Sequence, residues 1–334
     1  MPTASAAPHT RRRLAAVLLV PLLAALALWA FAWPAARTAP HDLPLGVAGP
    51  ASATAGVERQ LARHEGAFEV HRYADEAAAR RAVEDRTVYG AVVVADRGLR
   101  LLTASAASPV VAQLLQQAVA GQGSAAGTPV RTVDVVPAPE HDPRGAALTA
   151  SVLPLALAGI AAGSAVTLAG LRASRAVAAL LAVAALVGLA AAGIADSWLG
   201  VITGNWWAQA GALGLATLAV SACVAGLAAL LGPAGLGVGA GVVMLLGNPF
   251  SGAASAPQLL PEPVGTLGQW LPPGAGATLL RSVSFFDGAA ATGPVLTLTW
   301  WAALGLGAVL LGAALRSRLP IGRSAPEPGL TPAG

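Results

Sequence analysis

The chain contains no lysine. All 20 of its basic residues are arginine, against 16 acidic ones, in 334 residues. That absence removes the lysine on which a Gly-Lys-Ser/Thr nucleotide loop depends, so the chain holds no P-loop. Charge of either sign is scarce. Only 11% of residues are Asp, Glu, Lys or Arg, where soluble domains carry about 25%. The run from Ser197 to Pro261 holds none of these and no His. A soluble domain that bare would not stay dispersed, whereas a helix bundle solvated by lipid does. There is one cysteine, Cys223, inside an apolar stretch. It excludes an intrachain disulfide and reads as a small buried side chain.

Other absences narrow the function. The pI of about 10.5 invites a nucleic-acid reading, but the arginines are scattered over predicted helix ends and no nucleic-acid motif accompanies them. The five histidines, His9, His41, His64, His71 and His141, fall outside the apolar stretches and lack the His-Glu-x-x-His spacing of a zinc site. No Ser, His and Asp stand in a nucleophile-elbow context. No catalytic motif, metal site or cofactor is therefore expected. No charge sits in the middle of an apolar stretch either. Proton- and sodium-coupled transporters keep such charges there despite a cost of about 2.5–3.5 kcal/mol each, so ion coupling is not expected.

What is present is long apolar sequence. Six stretches approach the roughly 20 residues a spanning helix needs: 14–33, 146–171, 176–195, two halves of 206–250 divided at Gly232-Pro233, and 294–315. The first, preceded by Arg11, Arg12 and Arg13, is longer than a signal-peptide core and reads as an uncleaved anchor. Six spans put both termini on one side. The short segments of that side carry Arg11, Arg12, Arg13, Arg172, Arg175, Arg316, Arg318 and Arg323 against Glu327. The opposite short loops carry Arg281 against Asp196, Glu262 and Asp287. The positive-inside rule then makes both termini cytoplasmic, in the plasma membrane. All eight tryptophans fall at or near the expected outer ends, where indoles favour the headgroup zone.

Residues 34–145 are a different material. They carry ordinary charge and alternate strand and helix signals. Strands are expected over 45–48, 68–73, 89–95, 99–103 and 130–136, and helices over 53–64, 75–85 and 109–120. Asp75 is the natural N-cap of the second helix, and Pro109 takes a tolerated first position in the third. The expected fold is a polytopic α-helical membrane protein with a small extracytoplasmic α/β domain inserted between the first and second spans. The expected parts are 1–33 (N-terminus and first span), 34–145 (α/β domain), 146–315 (five-helix membrane domain with a Pro-rich outer loop, 251–293) and 316–334 (cytoplasmic tail).

Within the bundle, Gly159-xxx-Gly163 and Gly237-xxx-Gly241 read as small-residue seams for close helix packing. The glycines around 232–241 lack any neighbouring cation and are no phosphate cradle. Arg172 and Arg175 read as topology anchors, or as a cytoplasmic contact for a partner. Arg281 and Asp287 could pair and hold the outer loop closed, or both be solvated. Ser284-Phe285-Phe286 fits an aromatic dip into the lipid interface.

The order of parts resembles ABC-2 type exporter permeases, in particular their phage-infection-protein-like (Pip-like) branch. The likeness is carried by Leu45-Gly46-Val47-Ala48, by Ala74-Asp75-Glu76-Ala77-Ala78 leading to Tyr89-Gly90-Ala91-Val92-Val93-Val94, and by Leu259-Leu260-Pro261-Glu262-Pro263, Gln269-Trp270-Leu271-Pro272-Pro273 and Leu279-Leu280-Arg281 before the last span. It implies a membrane-spanning subunit that dimerises, binds a separate ATPase subunit, and exports an apolar or amphiphilic substrate. It also implies an outer gate over 261–287, with Pro261, Trp270, Pro272, Pro273, Arg281 and Asp287 in it. The chain departs from that family in two places. Only about ten residues precede Arg11, and the expected coupling loop shrinks to Arg172-Ala173-Ser174-Arg175. The alternative is a non-transporting surface protein whose outer domain binds an envelope component, a phage or a protein partner.

Overall fold

The computed structural model describes residues 8–95, 98–126 and 129–318. The charges at Arg323 and Glu327 lie outside these residues. Helix α1 (Pro8–Ala36) has an apolar span over Val17–Ala36, and Val17, Leu18, Leu22 and Leu28 stand exposed on it. It leads into a five-stranded sheet: β1 (Leu43–Ala48), β2 (Phe68–Tyr73), β3 (Gly90–Ala95), β4 (Gly98–Thr103) and β5 (Val130–Asp134). Between the strands run α2 (Ala51–Leu61), α3 (Glu76–Glu84) and α4 (Pro109–Ala126). The spatial order is β2-β1-β3-β4-β5. Strand β1 pairs parallel with β2 and β3, β3 antiparallel with β4, and β4 parallel with β5.

The central strands read as near-continuous apolar runs because both of their faces are covered. Alternate side chains go to opposite layers. Ala91, Val93 and Leu102 pack with Ala79 and Val83 of α3. Val92 and Leu101 pack with Val111 and Leu115 of α4. Helix α3 starts where expected, since the Asp75 carboxylate accepts from the Ala78 amide at 2.8 Å. A second carboxylate starts the bundle. Buried Asp142 accepts from the Ala146 and Ala147 amides at 2.7 and 2.9 Å. It satisfies free amides of the next helix and complements its dipole.

The bundle comprises α5 (Ala146–Leu168), α6 (Ala173–Ala192, prolonged by a π turn over Gly193–Trp198), α7 (Trp206–Leu231), α8 (Pro233–Gly241, prolonged by a π turn over Val242–Gly247), α9 (Val264–Gln269), α10 (Pro272–Phe285) and α11 (Thr292–Arg318). Among the described residues, five helices are long and apolar enough to cross a membrane: Val17–Ala36, Ala146–Leu168, Ala173–Trp198, Trp206–Leu231 and Thr292–Ser317. They mark a membrane-embedded helical protein. The expected division at Gly232-Pro233 is present, with Gly232 at φ 68 ending α7 and Pro233 opening α8. The helix beyond this break is shorter than a full span. Its nine helical residues and six-residue π turn extend about 22 Å at about 1.5 Å per residue, against a hydrocarbon core of about 30 Å.

Helix α7 is the hub, with α5, α6, α8, α10 and α11 packed around it. Its small residues let neighbouring backbones approach. A Cβ on Gly159 would stand 2.7 Å from the Val220 Cβ, and one on Gly163 2.5 Å from the Ser221 carbonyl oxygen. Gly226 and Gly305 make a similar approach between α7 and α11. On α8 the expected seam is out of phase. Gly237 and Gly241 face open space, while Gly235 and Gly239 lie against Leu227 and Val224 of α7. The break at Gly232 rotates α8 so that a different glycine pair meets the hub.

Substitution should separate these positions. Gly163→Val should lower the melting temperature of the detergent-solubilised chain, at an overpacking cost of about 1–3 kcal/mol. Gly237→Ala, facing open space, should leave it unchanged or slightly raised, because Ala is the better helix former.

Candidate ligand cavity between the sheet domain and the bundle

The Pro-rich segment is neither a loose loop nor an interfacial dip. A turn at Pro257–Leu259 and helices α9 and α10 fold it against both the bundle and the sheet domain. Each layer of the domain borrows a side chain from it: Phe286 joins the α3 layer, and Leu259 with Ala256 joins the α4 layer. Phe286 is therefore buried in protein and not in lipid. Backbone bonds add to the seam, with Ala39 N donating to Leu259 O at 3.1 Å and His41 N to Gln258 O at 2.8 Å. Tyr89 Oη meets Gln258 Oε1 at 2.9 Å.

Irregular backbone next to a membrane needs partners for its carbonyls, and polar side chains of the bundle supply them. Arg281 Nη2 donates to Ala253 O, an acceptor shared with Thr149 Oγ1 at 3.1 Å. Gln269 Nε2 donates to Ser251 O at 2.9 Å, and its Oε1 accepts from Thr278 Oγ1 at 2.6 Å. Trp301 Nε1 donates to Trp270 O at 2.8 Å.

Above α10 lies an open cavity of about 520 Å³. Its polar lining is Arg86, Thr87, Tyr89, Gln258, Gln269, Thr278 and Arg281, and Trp270, Pro294 and Thr297 lie on its bundle side. Among the described residues, no carboxylate lines it. Arg86 closes α3 in the left-handed conformation (φ 59), its amide bonded to Val83 O and that of Thr87 to Ala82 O. This is the helix-ending geometry that glycine usually occupies. The turn aims Arg86 at α10, where Nη1 donates to Thr278 O at 3.1 Å and Ser282 Oγ at 2.5 Å. The guanidinium also lies 5.1 Å from the centre of the Phe286 ring, within cation–π range.

The cavity's electrostatics are one-signed. Burial lowers the pKa of Arg281 to about 10, and the neighbouring Arg86 adds to the lowering. Burial likewise lowers that of Arg86. Both remain cations at neutral pH. Burial raises the Tyr89 phenol, and the two guanidiniums counter part of that rise, so Tyr89 stays neutral. The four ion pairs among the described residues involve other side chains.

The residues expected in the gate occupy distinct places. Pro261, Pro272, Pro273 and Arg281 are buried, Trp270 is 72% exposed beside the cavity, and Asp287 is exposed. Arg281 and Asp287 do not pair, because Arg281 is held inside by the Ala253 carbonyl while Asp287 sits in the turn after α10. Arg172 and Arg175 are exposed at the other end of the bundle. There Arg172 lines a second cavity of about 380 Å³ with Arg316, Gly232 and Pro233. Sequence reasoning does not mark Arg86, Tyr89, Gln258 or Gln269 as site residues. Arg86 meets partners 192 and 196 positions away, and no local pattern signals such a contact. Compared with protein-family models, curated proteins and solved structures, the chain matches none.

The seam should be measurable. A double-mutant cycle with Tyr89→Phe and Gln258→Ala, read by thermal unfolding in detergent, should give a coupling of about 0.5–1.5 kcal/mol. A coupling near zero would mean that the two side chains do not meet.

Proposed function

We propose that this chain is the membrane-spanning subunit of an ABC-2 type exporter, which moves an amphiphilic substrate outward with energy from a separate ATPase. The single observation that carries this reading is the α9–α10 pair. It is too short to span, packs on the central helix α7, and is roofed by the sheet domain over an open cavity. That is the arrangement of a gate at the mouth of a bundle. The polytopic topology belongs to the same reading: six crossings, the fifth made by α8 together with the connection that follows it, both termini cytoplasmic, and the sheet domain outside. It is supported by the arginine asymmetry of the short segments. Exposed Trp198, Trp207, Trp270 and Trp300 at the domain end of the bundle also support it. The cavity lined by Arg172 and Arg316 at the opposite end offers a concave, basic seat for a partner's acidic helix. Two copies of the chain would complete the exporter.

One observation favours a second reading, an outer domain that binds an envelope component without transport. Only the four residues 169–172 separate α5 from α6, which leaves an ATPase little to hold on that side.

Purification of the tagged chain at native expression in mild detergent should bring down a P-loop ATPase in stoichiometric amount, with vanadate-sensitive turnover. Arg172→Glu combined with Arg316→Glu should release it. Recovery of the chain alone would favour the second reading. For topology, a cysteine placed at Ala138 should react with an impermeant maleimide in intact cells, and one at Ser317 only after permeabilisation. Any other pattern contradicts the six-crossing arrangement.

A further inference from the structure

Two arginines sharing a cavity without a carboxylate call for an explanation. Burying a cation is costly unless it is paired; Arg281 is buried, Arg86 is partly buried, and the two repel each other. Their hydrogen bonds do not account for them. Arg281 makes one and Arg86 two, both from Nη1, among the described residues. A guanidinium carries five N–H donors. Nor does stapling the loop need charge, since the neutral amide of Gln269 holds the Ser251 carbonyl in the same way. What the pair adds is unspent positive charge and forked donors, the combination that binds phosphate or carboxylate groups in bidentate fashion.

The walls indicate what the anion is attached to. Arg86, Arg281 and Tyr89 form one polar side, while Trp270, Pro294 and Thr297 carry the cavity toward the surface of the bundle. Trp270 is 72% exposed and Trp300, one turn beyond Thr297 on α11, 65%. Exposed indoles of this kind mark the headgroup level of a bilayer. The cavity is thus lined both by the two arginines and by an exposed indole, Trp270, of the kind found at a lipid interface.

We infer that this cavity receives the anionic phosphate or carboxylate headgroup of an amphiphile, held between Arg86 and Arg281, while its apolar part lies outward along Trp270 and the start of α11. This names the substrate class of the exporter reading and rests on that reading for the direction of movement. Binding itself needs no ATPase. Failure to bind and failure to recruit an ATPase are therefore separate outcomes.

The test uses the full-length chain in a neutral maltoside detergent, titrated with dioctanoyl phosphatidylglycerol, dioctanoyl phosphatidylcholine and inorganic phosphate. Phosphatidylglycerol should bind at least tenfold more tightly than phosphatidylcholine, and more tightly than inorganic phosphate. Arg86→Gly suits the left-handed backbone at that position, so it should keep the fold while weakening phosphatidylglycerol binding at least tenfold. Arg131→Gln, exposed on β5, should bind like the wild type. Equal binding of the two lipids would overturn the inference on the wild-type chain alone, whatever any variant does. Undiminished binding by folded Arg86→Gly would also overturn it. Inorganic phosphate binding as tightly as the lipid would assign the site to a free anion and overturn the amphiphile part.

Discussion

The constraint on which the rest depends is the need of irregular backbone beside a membrane to find hydrogen-bond partners within the protein. Residues 248–263 form an extended, turning connection between α8 and α9, and their carbonyls cannot be left bare. The solution is polar side chains projected from α9 and α10, with Arg281 and Gln269 reaching back to Ala253 and Ser251. Once those contacts are made, α9 and α10 are fixed against α7. Their ends become a platform on which the sheet domain sits through Phe286, Leu259 and Gln258. Domain and bundle thus share core residues, and the cavity is a consequence of how the platform and its roof meet.

Charge follows the same logic. The bundle avoids mid-span charge, so the chain's few interior cations stand out. Arg281 is tied to the loop it stabilises, and Arg86 is delivered by a helix end that adopts a conformation unusual for any residue but glycine. The arginine stands at a helix end whose backbone glycine most often takes. Its contacts with Thr278, Ser282 and Phe286 bind the domain to α10, and its remaining donors serve the cavity.

Much of the architecture is legible in sequence because it depends on local pattern. The uncharged run beginning at Ser197 marks the bundle, Gly232-Pro233 marks the break after α7, and the Val92–Val94 run bounded by Gly90 marks a central strand. Asp75 marks the start of α3 by the chemistry of a cap. The illegible parts depend on tertiary register. The phase of the glycines on α8 follows from the rotation introduced at Gly232, which exchanges Gly237 and Gly241 for Gly235 and Gly239 at the contact. Phe286 resembles a membrane-interface aromatic because nothing near it in sequence shows the apolar layer of the sheet domain that covers it. Arg281 and Asp287 resemble a pair because they are close in sequence, whereas α10 carries one inward and releases the other to the surface. The candidate site is half visible, in its prolines, Trp270 and Arg281. The half contributed by the domain is not.

The central claim is that the seam between domain and bundle encloses a receptor for an anionic headgroup. Its most direct test is an experimental structure of the full chain, carrying a bound antibody fragment for mass, in nanodiscs rich in phosphatidylglycerol. Headgroup density should lie within hydrogen-bond distance of both Arg86 and Arg281, continuous with an acyl chain running past Trp270. A cavity filled only by water, or a carboxylate of the chain itself seated between the two arginines, would contradict the claim.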